Sequence, residues 1–302
     1  MAYIKSQLKD SRPYYLLLDE VQMLDGFETV LNGYLRRDNL DIFITGSNAE
    51  FLSTDIITEF AGRGDQIHMH PLSFAEFMTV YPGDKYEVSQ YMLYGGIPQV
   101  VLRDDPQDKV QILNNLFSEI YIRDIAIRHK VRNTGELQEL LDIVSSAVGS
   151  LTNPEKLKKT FHSVKKSRIT AGTISKYLGY LEDSFLISSA SRYDIKGKAY
   201  IKTPKKYYFS DLGLRNVRIN FRQFEPTHTM ENAIYNELIR RGYNTDVGIV
   251  AHSEKNAEGK TVRRQLEVDF ICNLGFKRYY IQSAYALYDP AKREQEPGRL
   301  RK

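Results

Sequence analysis

Apolar positions change their period along this chain, and the first change is the sharpest. Tyr14 to Leu18 is an unbroken apolar run that stops at two adjacent carboxylates, Asp19 and Glu20. A short continuous run of this kind predicts a strand in a parallel sheet covered on both faces. From Gly26 to Arg37 the period turns helical, with Phe27, Val30, Leu31, Tyr34 and Leu35 on one stripe. A second apolar run, over 41–44, ends in Thr45, Gly46, Ser47 and Asn48. Strand, helix and strand with polar strand ends predict a doubly wound α/β unit whose ligand groups converge on one sheet edge.

Three helical stripes follow in the middle of the chain, over 137–148, 155–166 and 170–184. In the third, Ile174, Leu178, Leu181 and Phe185 form the inward row and leave Ser175, Lys176 and Gly179 outward. A strand over 205–209 closes this part. The last hundred residues read as a helix over 231–241 and then strands near 246–250, 265–272 and 278–285.

Candidate chemistry begins at the first strand end. Two carboxylates there suit a nucleotidase of the Walker B type, in which Asp19 holds Mg²⁺, directly or through water, and Glu20 orients the attacking water. Only 18 residues precede Asp19, and none forms a Gly-rich phosphate loop. The Gly-Lys-Thr core of such a loop occurs only at Gly259, Lys260 and Thr261. Glu254 stands where the loop's first Gly belongs, so this segment is expected to be a hairpin turn.

Several blocks occur in order: Leu-Leu-Leu-Asp-Glu-Val-Gln from Leu16, Ile-Thr-Gly-Ser from Ile44, Ala-Gly-Arg from Ala61, and Pro-Leu-Ser-Phe-Ala-Glu-Phe from Pro71. Tyr94-Gly95-Gly96-Ile97-Pro98, Tyr121 to Ile125 and Lys206 to Arg215 continue the series. In this order the chain resembles the prokaryotic AAA+ ATPases that carry a winged-helix segment and a C-terminal domain like the PD-(D/E)XK nucleases. The resemblance implies an α/β architecture with four parts. Residues 1–77 would form a partial P-loop AAA+ parallel-sheet domain, 78–135 a helical lid-like segment, 136–224 a winged helix and 225–302 a partial restriction-endonuclease-like α/β domain. It further implies ATP and Mg²⁺ as cofactors, Asp19 as the Mg²⁺ ligand, Glu20 as general base, Thr45 or Ser47 as sensor, and Arg63 as a finger toward a neighbouring subunit. Family members carry their phosphate loop upstream of Walker B. Without that nest of N–H groups and its Lys, ATP hydrolysis by this chain alone is not expected. The sheet side left bare would invite pairing with another protein or subunit.

The same resemblance places Glu231 and Asp269 at two metal-binding positions of a nuclease core, where carboxylates hold Mg²⁺ and activate water. At the third position the sequence reads Tyr280-Ile281-Gln282, which lacks both the carboxylate and the Lys. A degenerate, weak metal site is therefore expected. After Tyr285 the chain departs from the family again, so it reads as shortened at both ends.

Charge adds one more expectation. The net charge of +4 conceals 16 Lys and Arg against 7 Asp and Glu between Leu137 and Phe224. This asymmetry suggests an anionic partner, with DNA the natural one for a winged helix whose third helix recognises the groove. Lys158, Lys159, Lys165, Lys166, Lys176, Lys196 and Lys198, together with Lys156, Lys202, Lys205 and Lys206, would then neutralise phosphates; the alternatives are a solvated Lys-rich face and a winged helix that serves as an arm between the ATPase and C-terminal domains. The single Cys272 lies in an apolar strand and reads as an inert buried thiol. No run approaches the roughly 20 apolar residues of a membrane helix, which points to a cytoplasmic protein without a membrane partner.

Overall fold

The computed structural model describes residues 2–21, 24, 26–47, 64–81, 87–165, 168–222, 225–255 and 261–284. The chain divides into two compact units, residues 1–69 with 183–185 and residues 70–182 with 186–302.

In the first unit, α1 (Ala2–Gln7) precedes β1 (Tyr14–Leu18), which pairs in parallel with β2 (Leu40–Ile44), Leu16 standing opposite Ile42. Helix α2 (Phe27–Tyr34) connects them, and Gly26 enters it at φ 69°, a left-handed backbone that Gly adopts without steric cost. Val21, Phe27 and Leu31 are buried, with Leu16, Leu18, Ile42 and Ile44 packed on them. The predicted strand, helix and strand are thus present. Coverage of the sheet differs from expectation. Successive strand residues point to opposite faces, and Tyr15, Leu17 and Phe43 on the second face are 65, 74 and 56 % exposed. From β1 it is Leu16 and Leu18 that pack on this core, so the apolar run is one-sided, with α2 on its inner face.

The second unit begins with α3 (Phe74–Val80). Its start explains the Pro-Leu-Ser-Phe-Ala-Glu-Phe block, because Ser73 and Glu76 form a capping box. The Ser73 hydroxyl accepts the Glu76 N–H at 3.1 Å, and the Glu76 carboxylate accepts the Ser73 N–H at 2.7 Å. Helices α4 (Glu87–Tyr94), α5 (Pro98–Val101) and α6 (Pro106–Asn115) follow, then a π-helical turn (Leu116–Ile122) and α7 (Arg123–Arg128).

The three helices predicted in the basic segment are α8 (Thr134–Ser146), α9 (Pro154–Thr160) and α10 (Ala171–Asp183). Ile174, Leu178 and Leu181 are buried as their spacing predicted, and Ser175 and Lys176 face outward. An antiparallel hairpin of β3 (Ile187–Asp194) and β4 (Ala199–Phe209) comes next. Helices α11 (Leu212–Arg218) and α12 (Pro226–Arg240) lead to β5 (Asn244–Lys255), β6 (Thr261–Leu274) and β7 (Lys277–Ile281). The hairpin and these strands make one sheet in the order β4-β3-β5-β6-β7, with β3 and β5 parallel and the other pairs antiparallel. Lys255 pairs with Thr261 across antiparallel strands, while Gly259 and Lys260, expected in a hairpin turn, lie outside the described residues. Cys272 is fully buried, and burial raises its thiol pKa. Among the described residues no helix is long and apolar enough to cross a membrane.

Candidate functional site

The ends of β1 and β2 are laced together by backbone bonds: the Thr45 N–H donates to the Leu18 carbonyl at 2.9 Å, and the Val21 N–H to the Thr45 carbonyl at 3.2 Å. This lacing sets four polar side chains side by side. The Thr45 hydroxyl accepts the Glu20 N–H at 3.1 Å and donates to the Asp19 carboxylate. The Ser47 hydroxyl donates to Glu20 Oε2 at 3.0 Å. Glu20 itself sits at φ 50°, a left-handed backbone that costs a non-glycine residue roughly 1 kcal/mol or more. That turn separates the two carboxylates, so each meets a different hydroxyl. All four residues are exposed. The structure therefore brings Asp19, Glu20, Thr45 and Ser47 into one cluster at the sheet edge, while Arg63 lies outside the described residues. An exposed carboxylate flanked by hydroxyls fits a hard cation that keeps much of its water, as Mg²⁺ does.

A second cluster is buried in the C-terminal half. Glu231 on α12 is 5 % exposed, and Asp269 on β6 is 8 % exposed. The Lys206 ammonium from β4 donates to Glu231 Oε1 at 2.8 Å and to Glu267 Oε1 at 2.7 Å. Tyr208 donates its phenol to the same Glu231 oxygen at 2.6 Å. Burial acts to lower the Lys206 pKa, but the two carboxylates outweigh it and hold the ammonium above its ordinary value. Asp269 Oδ2 accepts Gln282 Nε2 at 2.9 Å, the Ser283 N–H at 2.8 Å and the Ser283 hydroxyl at 2.8 Å. Among the described residues no group of three or more His, Cys, Asp or Glu is placed to hold a metal. Sequence reasoning placed Lys206 among surface lysines, yet it is buried and ion-paired. The signal was present, because Lys206 and Tyr208, like Glu267 and Asp269, are two apart on a strand and so share one face.

A third buried carboxylate explains two sequence blocks at once. Asp211 caps α11, accepting the Leu214 N–H at 3.1 Å, and it also accepts the Gly96 N–H at 2.7 Å. Burial pushes its pKa up to about 6, against the pull of these N–H donors. The Gly95-Gly96 and Asp211-Leu212-Gly213 blocks are thus two halves of one contact.

In the basic segment Lys158, Lys159 and Lys176 are exposed on α9 and α10, and Lys196 and Lys198 on the turn between β3 and β4, as is Lys202 on β4. Lys156 reaches the Leu151 carbonyl at 2.9 Å and Lys205 the Ser189 hydroxyl at 3.1 Å. The Lys165 side chain and Lys166 lie outside the described residues.

Comparison with known proteins adds the following. Residues 85–225 match the family model of a domain of unknown function, DUF8612. An uncharacterized protein of Haemophilus influenzae is 37 % identical over 279 residues, covering 90 % of this chain and 66 % of that protein. An uncharacterized protein of Methanocaldococcus jannaschii is 28 % identical over 296 residues, covering 93 % of this chain and 63 % of that protein. The chain thus spans less than two thirds of the length of each of these curated relatives. Residues 1–78 match the family model described as an AAA domain, which relates this segment to the AAA-type ATPases.

Proposed function

We propose that the cluster at the ends of β1 and β2 is the cation-and-water side of an ATP site. Asp19 would hold Mg²⁺, Glu20 would orient water, and Thr45 and Ser47 would fix the two carboxylates. When bound, Mg²⁺ neutralises charge on the phosphates. The observation that carries the reading is the paired hydroxyl and carboxylate contacts, Thr45 with Asp19 and Ser47 with Glu20. They hold each acid in a set direction at an exposed edge, which a merely solvated acidic turn would not need. The 302 residues contain no Gly-x-x-x-x-Gly-Lys-Ser/Thr sequence. The chain by itself is therefore expected to bind Mg²⁺·ATP weakly and not to hydrolyse it.

Calorimetry with Mg²⁺·ATP on the chain and on Asp19→Ala tests this. Weak, millimolar binding that Asp19→Ala removes is the expected result. Identical traces for the two proteins would overturn the assignment of Asp19, and micromolar binding would overturn the expectation of weakness.

A second reading is supported by the exposed lysines on α9, α10 and the β3–β4 turn. We infer a winged-helix surface that binds duplex DNA, with α10 entering the groove and Lys196 and Lys198 on the wing touching phosphates. Fluorescence anisotropy with a labelled duplex would show affinity that falls with salt. Binding indifferent to salt, or none at low salt, would sink it.

A further inference from the structure

The likeness to metal-dependent nucleases implies a divalent cation between Glu231 and Asp269, and the residues around them do not fit one. Such a cation takes about six oxygen ligands. Here one oxygen of each carboxylate is already engaged by donors of the chain itself. Glu231 Oε1 takes the Lys206 ammonium and the Tyr208 phenol, and Glu267 Oε1 takes the same ammonium. On the other side, Asp269 Oδ2 takes three donors from Gln282 and Ser283. Gln282 ends the Tyr280-Ile281-Gln282 stretch where the nuclease pattern would put its second carboxylate and lysine, and Ser283 follows it. The segment thus supplies donors to Asp269 rather than further ligands to a metal.

The side chain of Lys206 is 4 % exposed and that of Glu231 7 %. A charge buried so deeply is tolerated only with partners of opposite sign and good geometry. Two carboxylates from different elements, both within 2.8 Å of one nitrogen, meet that condition. They hold the ammonium between Glu231 and Glu267, so its charge already neutralises the Glu231 carboxylate that a divalent cation would need.

We infer that the Lys206 ammonium permanently takes the place of the divalent cation, making the nuclease-like centre a metal-free clasp that ties β4, α12 and β6 together. Lys206 comes from the hairpin that follows the basic helices, whereas Glu231 and Glu267 come from the C-terminal α12 and β6. The clasp therefore fixes the hairpin to the C-terminal strands and hydrolyses nothing.

Electron paramagnetic resonance with Mn²⁺ alone, on the full chain, reads this without relying on activity. Wild type and Glu231→Gln are expected to leave the same free Mn²⁺ signal, because the centre takes up none. One equivalent of Mn²⁺ bound by wild type and lost in Glu231→Gln would overturn the inference. Lys206→Met removes the ammonium while keeping much of the side-chain volume. If this variant retains the wild-type circular dichroism, it is expected to take up Mn²⁺ that the further change Glu231→Gln abolishes. A folded Lys206→Met chain that binds no more Mn²⁺ than wild type would show that the ammonium is not what excludes the metal. If it does not fold, the comparison of wild type with Glu231→Gln still decides.

Discussion

Asp211 accepts the backbone N–H of Gly96, 115 residues earlier in the chain, at 2.7 Å. The same carboxylate caps α11 through Leu214, so one buried acid joins the loop after α4 to the start of α11. Burial raises its pKa to about 6 from the ordinary 3.8. Between these values the folded chain holds a proton that the unfolded chain has released. Stability contributed by this group is therefore fully present below about pH 4 and is lost as pH rises through 6. The gap corresponds to ~3 kcal/mol. Asp211→Asn should remove this dependence. Urea unfolding between pH 4 and 7 should show Asn gaining on Asp as pH rises, over and above any constant offset from altered hydrogen bonds. A difference between the two that does not change with pH would mean that Asp211 is charged throughout.

Gly95 sits at φ 77°, and a Cβ there would lie 2.2 Å from Asp211 Oδ1. Alanine at this position meets both a left-handed backbone and a carboxylate that cannot retreat without giving up its N–H partners. Gly26 offers the control, since it has φ 69° but nothing within 4 Å of an added Cβ. Gly26→Ala should cost about 1 kcal/mol from backbone conformation alone, and Gly95→Ala more than about 2 kcal/mol. Denaturation midpoints of the two variants give the comparison. Equal losses would show that the Asp211 contact adds nothing.

The elements were legible wherever period and termination agreed. Phe27 and Leu31 marked the buried stripe of α2, and Ile174, Leu178 and Leu181 that of α10, because side-chain spacing on a helix is fixed by its geometry. What the apolar run at Tyr14 to Leu18 could not convey is how many of its faces are covered. Tyr15 and Leu17 are as apolar as Leu16 and Leu18, yet they face outward. The Asp19, Glu20, Thr45 and Ser47 cluster was readable, since parallel strands joined by one helix bring their C-terminal ends together. For Lys206 the sequence carried only the strand face shared with Tyr208, because its partners lie 25 and 61 positions away and local charge counts see only a Lys-rich stretch. The glycines and acid around Asp211 were noticed as blocks of a pattern. Their purpose appears only when the loop after α4 meets α11.

Thr45 is the pivot of the exposed cluster, accepting from Glu20 and donating to Asp19. Both partners are exposed, so water can replace the hydroxyl, and Thr45→Ala should change stability by no more than about 1 kcal/mol. Its effect should fall on orientation. The variant is expected to lose the weak Mg²⁺·ATP response to the same extent as Asp19→Ala, while Thr45→Ser retains it. A Thr45→Ala chain that answers Mg²⁺·ATP as wild type does would show that the hydroxyl does not position Asp19.

The basic surface makes a prediction whose sign depends on which lysines are free. Lys196 and Lys198 are exposed on the β3–β4 turn, whereas Lys206, a few residues on in the same hairpin, is locked between Glu231 and Glu267. If the turn neutralises phosphates, each of its two lysines should contribute about one unit to the slope of log affinity against log salt. Replacing both with Ala should lower that slope by about 2 and weaken binding alike for unrelated duplexes. Lys176 on α10 faces outward from the helix assigned to the groove, so Lys176→Ala should alter preference among duplexes more than it alters the salt slope. Anisotropy titrations at several salt concentrations separate the two effects. An unchanged slope in the double wing variant would remove the turn from the interface and leave α9 and α10 to carry whatever binding remains.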